Sequence, residues 1–397
     1  MKKIHKTKQN LHAAFAVPVV CNKNGKRKLC ANRNIILQSR IKRKMNGSGI
    51  KAIIAMSGGV DSSVAAALLL EQGYDCTGVT FRLRKNEGDC SSTADIDDAR
   101  AVARRLGISH TTLDFTEDFS EQVIRRFVDT YGRGETPNPC IDCNHRIKFN
   151  LRLLREQQIH FDCIATGHYA RVGQDPASGR FFLRKAIDTA KDQSYVLYHL
   201  SQEQLERARF PLGEFSKQQV RKIAEEKNFF NNDKGESQDI CFVPSGNYGD
   251  FIEAYTGKTW PSGDIVSLEG RPLGRHRGII RYTIGQRRGL GVAANTPLYV
   301  VAKSVTNNTV TLGPDSSLYR RSLVAKEINL IACEHIDLPM RVMVKTRYLQ
   351  AEQPAIAGQI GEDELHIEFD SPQRAITPGQ AAVLYDGDIV IGGGTIV

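Results

Sequence analysis

Long apolar runs are missing from this 397-residue chain. No stretch approaches the roughly 20 apolar residues that a membrane-spanning helix needs, so no helical membrane anchor is expected. Acidic residues are missing from the first 50 positions, which hold 13 Lys and Arg but no Asp or Glu. Cysteine is sparse: nine scattered residues exclude a disulfide-stapled scaffold in a chain this long and fit a reducing, cytoplasmic setting. Residues 51–397 also lack internal repeats and low-complexity segments.

The net charge of +10 is therefore uneven. Outside the basic leader, 41 basic residues face 44 acidic ones, so a nucleic-acid surface must be a local patch. Residues 1–50 read as a segment apart from the fold. An organelle transit peptide, a flexible RNA-binding tail and translated sequence upstream of a start at Met45 all fit it, and a disordered tail fits best.

What is present centres on residues 51–70. Ala52–Met56 is an apolar run of the buried-strand type. Ser57-Gly58-Gly59-Val60-Asp61-Ser62-Ser63 follows, and then a helix-forming run from Val64. Strand, glycine turn and helix start make a phosphate site, because the glycines admit the anion and helix N–H groups face it. Asp61 would repel a phosphate unless a cation lies between them, which predicts magnesium carried with the nucleotide and no metal held by the protein alone. No lysine follows the glycines, so this is not a Walker A loop. SGGVDSS instead resembles the PP-loop of ATP pyrophosphatases, which implies ATP held by Met56 to Ser63.

The chain then alternates strand and helix: strands at 77–83, 111–115 and 161–165, helices at 95–106 and 119–131. This order predicts an α/β domain with a doubly wound parallel sheet and ligands at the strand carboxyl ends. Thr166-Gly167-His168-Tyr169 falls at such an end and is expected to share the nucleotide site. Ser201 and Ser216 are predicted N-caps of helices over 202–209 and 217–227. From Gly246 the chain is glycine-punctuated and β-rich, which predicts one or two small β-barrels. The expected divisions are a leader (1–50), a PP-loop domain (51–205), a central domain (206–280) and a C-terminal β-barrel (281–397).

Two cysteine stretches carry further chemistry. Thr136-Pro137-Asn138-Pro139-Cys140-Ile141-Asp142-Cys143 runs into a basic helix. A helix start at Cys143 would lower its thiol pKa and favour the thiolate. The second stretch is Ser237-Gln238-Asp239-Ile240-Cys241-Phe242. A structural zinc site wants a second CxxC pair, and there is none.

SGGVDSS, TPNPCIDCNHRIKF, ATGHYAR, KDQSYVLYHL, SQDICF, YTIGQRRGLG, KTRY and TPGQAAVLYDG occur in this order. Together they resemble the tRNA-specific 2-thiouridylase family over residues 51–397. The resemblance implies a transferase that adenylates C2 of the wobble uridine of tRNA with ATP and replaces its oxygen with persulfide sulfur. It implies Cys143 as nucleophile and Cys241 as persulfide carrier, the pair closing as a disulfide that an external reductant reopens. It places Phe81, which otherwise reads as an ordinary core aromatic, against adenine, with Gly167 lining the ATP site. Asn138, Pro139, Cys140 and His168 would meet the target base, flipped from the anticodon stack. Lys191, Asp192, Gln193, Arg347, Tyr348 and Gln380 would contact tRNA. Some relatives have aspartate at the position of Cys140, so this thiol stands either as an acid–base group or as a disulfide partner of Cys143. Arg275, His276, Arg277, Arg281, Arg287 and Arg288, with Tyr282, suit RNA phosphate contacts. The tRNAs implied are those for Lys, Glu and Gln, and the sulfur donor is a cysteine desulfurase or a sulfur-relay protein. A PP-loop ligase acting on a small metabolite would leave both cysteine stretches without a role, and a non-enzymatic RNA-binding protein would leave the ATP loop without one.

Overall fold

A five-stranded parallel sheet carries the first half of the chain. The computed structural model describes residues 49–84, 93–229, 240–243 and 246–397. Expectations for the leader up to Ser48, and for Ser237, Gln238 and Asp239, lie outside the described residues.

The apolar run forms β1 (Lys51–Ala55), buried after its first residue except at Ala55. Helix α1 (Val60–Glu71) follows the glycine turn and is buried on nearly every side, as its run of alanines and leucines requires. Next come β2 (Asp75–Arg82), α2 (Thr93–Leu106) and β3 (Ser109–Asp114). A long helix α3 covers residues 116–132, with a π-helical middle at Ser120–Ile124. Helix α4 covers residues 139–148, joining Pro139–Cys143 to a π-helical turn at Asn144–Lys148. After it lie β4 (Cys163–Thr166), the hairpin β5 (Ala170–Gln174) and β6 (Phe181–Lys185), α5 (Gln202–Arg207), β7 (Ala208–Arg209) and α6 (Lys217–Glu226). Ser201 and Ser216 cap α5 and α6, each in a full capping box with Gln204 or Gln219.

The sheet order is β3-β2-β1-β4-β7, with every pairing parallel. The chain leaves β1 toward β2 on one side and returns as β4 on the other. The crevice at the carboxyl ends of β1 and β4 is therefore the switch point where such sheets bind ligands.

The second half is β. Strands β8 (Gly263–Val266), β9 (Pro272–His276), β10 (Tyr299–Ser304) and β11 (Thr309–Gly313) form one sheet, in which β11 runs parallel to β8. Then β12 (Tyr319–Leu330), β13 (Met340–Lys345), β14 (Gln353–Ile360), β15 (Glu364–Arg374), β16 (Ala381–Asp386) and β17 (Ile389–Ile396) follow. They run in the order β12-β15-β14-β13-β16-β17, and a β12–β17 pairing closes the barrel. Its filling alternates along the strands: Val342 and Val344, Ala355 and Ala357, Leu365, Ile367 and Phe369. The β5–β6 hairpin pairs with β17, Leu183 beside Val390, and so ties the barrel to the first domain.

Strand pairing moves two expected divisions. The break expected at 205 falls too early, because β7 hydrogen-bonds to β4 in the parallel sheet and α6 packs on α1. The break expected at 280 falls inside one sheet, because β10 and β11 complete the sheet that β8 and β9 begin.

Candidate active site

At the glycine turn, Gly58 has φ +73°, and a Cβ there would stand 2.5 Å from the carbonyl oxygen of Asp95. Only glycine fits. The N-cap of α1 is Gly59, which brings no capping side chain, so the first turn presents backbone N–H groups to the crevice. Ser62 and Ser63 both donate to the Gly59 carbonyl at 3.0 Å, and Ser62 accepts from the Ser57 N–H at 3.1 Å. The serines thus hold the turn in shape, and Ser57 is exposed at its tip. Met56 and Val60 are buried beneath it.

The end of β4 backs onto this turn. A Cβ on Gly167 would lie 2.8 Å from both the Asp61 carbonyl carbon and the Ser62 nitrogen. The two motifs expected to share a site therefore touch. Tyr169, three residues after Thr166, donates its hydroxyl to Asp61 at 2.8 Å.

Asp61 also has a charged partner within the chain. Lys217, at the start of α6, places Nζ 2.7 and 2.9 Å from its two carboxylate oxygens. The cation that offsets Asp61 within the chain is the Lys217 amino group. Among the described residues no group of three or more His, Cys, Asp or Glu side chains is arranged to hold an ion. Phe81 is buried and packs on Phe115 with ring centroids 5.5 Å apart.

The cysteine helix begins earlier than expected. Asn138 is the N-cap, its side chain accepting from the Cys140 N–H at 3.2 Å, and Pro139 holds the first helical position. Cys143 therefore sits in the second turn, away from the helix N-terminus. It is a buried free thiol, and burial pushes its pKa up to about 11 against the lowering pull of Lys148. The expected activation by the helix dipole is overturned by desolvation. Cys140 is exposed at the helix start.

The same Lys148 charge acts on His168, whose pKa burial drives well below the usual histidine value. His168 bonds Thr166 Oγ1 through Nδ1 at 2.7 Å. Lys148, which sequence reasoning did not single out, thus stands electrically between the cysteine helix and the end of β4. Asp142 is held by Arg126 at 3.1 Å and Arg146 at 3.0 Å, which anchors α4 to α3. Behind α4, His145 stacks on His199 with centroids 4.7 Å apart, and Gln204 donates to the carbonyls of His145 and Phe149.

The Cys241 segment reaches the same helix α3. The ring of Phe242 packs edge-on against Phe119 and Phe127, and Arg84 donates to its carbonyl at 3.1 Å. Cys241 is exposed and disulfide-bonded. Cys76, Cys140, Cys143 and Cys163 are free thiols, so none of them is its partner.

Several expected tRNA contacts are committed to internal bonds. Asp192 is buried and accepts from the Ala186 and Ser194 N–H groups and the Ser194 hydroxyl. Gln193 accepts from the Tyr169 N–H at 2.9 Å. Arg347 donates to the carbonyls of Ile284 and Ala375 and to Thr377 Oγ1. Gln380 donates to the carbonyls of Thr136 and Pro137. Lys191 lines an open cavity of about 560 Å³ beside Lys217 and Arg221. Tyr348 is half-buried near Tyr195. The arginine cluster divides likewise. His276 and Tyr282 are buried, and Arg281 is paired with Asp250 and Glu253, whereas Arg275, Arg277, Arg287 and Arg288 are exposed.

A doubly wound sheet with an uncapped helix start, a thiol helix beside it and two β domains behind defines a nucleotide-site enzyme with cysteine chemistry. Comparison with known proteins narrows the class. Residues 50–245 match the family described as tRNA methyl transferase HUP domain, 249–314 its PRC-barrel domain, and 320–396 the aminomethyltransferase beta-barrel domain. The chain is 46% identical over 352 residues to the tRNA-specific 2-thiouridylase MnmA of Clostridioides difficile, covering 87% of this chain and 98% of that one. A relative of the same name in Pelotomaculum thermopropionicum is 47% identical over 354 residues, 87% of this chain and 97% of its own. The chain belongs to the tRNA-specific 2-thiouridylase family, and its fold is the HUP-type parallel sheet followed by a PRC-barrel and a closed six-stranded barrel.

Proposed function

We propose that this protein is an ATP-dependent tRNA uridine 2-sulfurtransferase acting at the wobble position. ATP enters the crevice between β1 and β4, its phosphates on the glycine turn and the first turn of α1. The uracil C2 oxygen attacks the α phosphate and pyrophosphate leaves. A persulfide on Cys241 then attacks C2 with its outer sulfur, and AMP departs. The Cys143 thiolate attacks the inner sulfur, Cys241 Sγ. The S–S bond breaks, its electron pair goes to the sulfur on C2, and a Cys143–Cys241 disulfide forms. An external thiol reduces it.

The protein's own groups have defined tasks. Lys217 screens Asp61 from the triphosphate. Lys148 favours the charged form of Cys143 when the proton leaves. Neutral His168 offers a ring nitrogen to the target base. Magnesium would ride on the ATP phosphates. Substrates are the tRNAs for Lys, Glu and Gln, sulfur comes from a cysteine desulfurase or relay protein, and the setting is the cytoplasm. Among the described residues no helix is long and apolar enough to cross a membrane.

The observation that supports this reading most is that the Gly167 backbone abuts Asp61 and Ser62 while Lys148 acts on both His168 and Cys143. These observations link the glycine turn to the end of β4, and His168 and Cys143 to the same lysine charge. The test is mass spectrometry of nucleosides from tRNA incubated with protein, magnesium-ATP and a persulfide source. Wild type should give 2-thiouridine, and Cys143→Ser and Cys241→Ser should not. No 2-thiouridine from wild type would overturn the reading.

A further inference from the structure

Lys148 ends the π-helical turn of α4, Asn144–Lys148. It is half-buried, and among the described residues no hydrogen bond or ion pair engages its ammonium. Two other half-buried lysines, Lys217 and Lys185, are held by Asp61 and Glu352. Asp142, the acid on the same helix, is taken by Arg126 and Arg146. A partly desolvated ammonium has lost some of its hydration, so it gains most from an anion that arrives.

The backbone around Lys148 is fixed on both sides. Gln204 Nε2 donates to His145 O at 2.8 Å and to Phe149 O at 2.9 Å. Asn144 Nδ2 donates to Val196 O at 3.1 Å, and the Phe149 N–H to Asn144 O at 2.9 Å. A π-turn inside a helix is rare, and such turns gather at functional sites.

This turn adjoins the end of β4. The ring of Phe149, the next residue, stands 6.3 Å from that of His168 between centroids, and Phe210 packs against both. Gly167, just before His168, is the residue whose backbone meets Asp61 and Ser62 in the phosphate turn. A chain of direct neighbours, Phe149, His168 and Gly167, thus joins Lys148 to the nucleotide crevice. On its own helix the same charge acts on Cys143. Burial holds that thiol protonated and the His168 imidazole neutral, so neither is an anion at rest.

We propose that Lys148 is a catalytic cation for the α phosphate of ATP, its ammonium pairing with the non-bridging oxygens during adenylation and again as AMP leaves. The identity of the anion rests on the function proposed above. Pyrophosphate, the first leaving group, belongs on the glycine turn. The α phosphate must face the target base, and the base must face the thiols, which is the side where Lys148 stands. An anionic phosphate repels an incoming oxygen, and a cation on its free oxygens offsets that repulsion in the transition state. The bond from the C2 oxygen to phosphorus forms. The bond to the bridging oxygen breaks, and its electron pair leaves on pyrophosphate. Lys148 acts by charge and transfers no proton. Once AMP has gone, the same charge is free to favour the Cys143 thiolate, so its two roles follow one another.

The experiment compares wild type with Lys148→Met, Lys148→Gln and Lys148→Arg, each also in a Cys143→Ser background. Two quantities are read: the rate of tRNA-dependent pyrophosphate exchange, and the equilibrium Kd for AMP without tRNA. Lys148→Met should slow exchange about 100-fold and weaken AMP binding about tenfold. The slowing should be as large in the Cys143→Ser background, where no thiol remains for Lys148 to serve. Lys148→Arg, which keeps the charge, should hold exchange within about tenfold of wild type. Lys148→Gln carries the test if the methionine variant does not fold. Exchange within about twofold of wild type in both uncharged variants, or a loss that vanishes in the Cys143→Ser background, would overturn the proposal. A wild type that gives no exchange would strike the function proposed above. The AMP measurement would then decide this contact: binding weakened about tenfold in Lys148→Met upholds it, and unchanged binding overturns it.

Discussion

Lys217 and Asp61 form an ion pair at the mouth of the nucleotide crevice, Nζ lying 2.7 Å from one carboxylate oxygen and 2.9 Å from the other. The lysine side chain is 12% exposed and the aspartate 32%, so water screens the pair only in part. Asp61 stands in the first turn of α1, where the phosphates of a nucleotide would lie. Its charge is tolerable there because Lys217 offsets it.

Removing that offset should weaken ATP binding. Lys217→Met is expected to raise the KM for ATP in tRNA-dependent pyrophosphate exchange by about tenfold or more, as loss of one partner from a half-buried pair does. Lys217→Arg should stay near wild type. Asp61→Asn added to Lys217→Met should recover much of the loss. An unchanged KM in Lys217→Met would refute the screening role.

Gly167→Ala should also damage the ATP site, by contact and not by charge. The new methyl meets backbone of Asp61 and Ser62 at 2.8 Å, and backbone cannot step aside as a side chain tip can. Overpacking of this kind costs about 1–3 kcal/mol, so ATP affinity should fall about five- to 150-fold. Equilibrium binding of a non-hydrolysable ATP analogue reads it directly. Wild-type affinity in the variant would show that the turn and the end of β4 are not in contact.

The resting Cys143 thiol should be slow to react. With a pKa pushed up to about 11, its labelling by iodoacetamide should climb steadily from pH 8 to 10 with no plateau. Exposed Cys140 should be labelled first. A Cys143 midpoint below pH 8 would mean that the helix dipole or Lys148 outweighs burial after all.

The His145–His199 stack predicts acid sensitivity. Burial lowers both pKa values, that of His199 to about 4, with His145 acting on His199 and the like charges of Arg146 and Arg126 acting on both; the Gln204 hydrogen bond and then Asp142 oppose it at His145. A histidine with a depressed folded pKa binds its proton only when unfolded between the two values. Its contribution is complete above pH 6.5 and is lost as pH falls toward 4. Each such histidine steepens the loss by up to about 1.4 kcal/mol per pH unit. Urea unfolding at pH 7.5, 6 and 5 measures the slope, and His199→Gln should flatten it. Equal slopes in variant and wild type would assign the acid sensitivity elsewhere.

Much of the architecture was legible from local pattern. The run Ala52–Met56 and the Gly58–Gly59 turn announced β1 and its phosphate turn, because a buried parallel strand needs continuous apolar residues and the turn needs φ above zero at Gly58. Ser201 and Ser216 marked helix starts, because a capping side chain acts within three residues of itself. The TGHY strand end was placed correctly beside the turn, since parallel sheets bring carboxyl ends together.

The rest was decided at long range. The sequence names Asp61, but not that Lys217, 156 positions on, would be its cation. It names Cys143 and its helix, but burial by the folded chain, which no local pattern measures, reversed the direction of the thiol's pKa. Ala208–Arg209 is too short to read as a strand until β4 lies beside it. Gln380 and Arg347 look like polar surface residues, yet their donors close a joint between barrel and thiol loop. Local order follows from neighbours along the chain. Charge, burial and hydrogen-bond partners follow from neighbours in space, and only the tertiary structure supplies those.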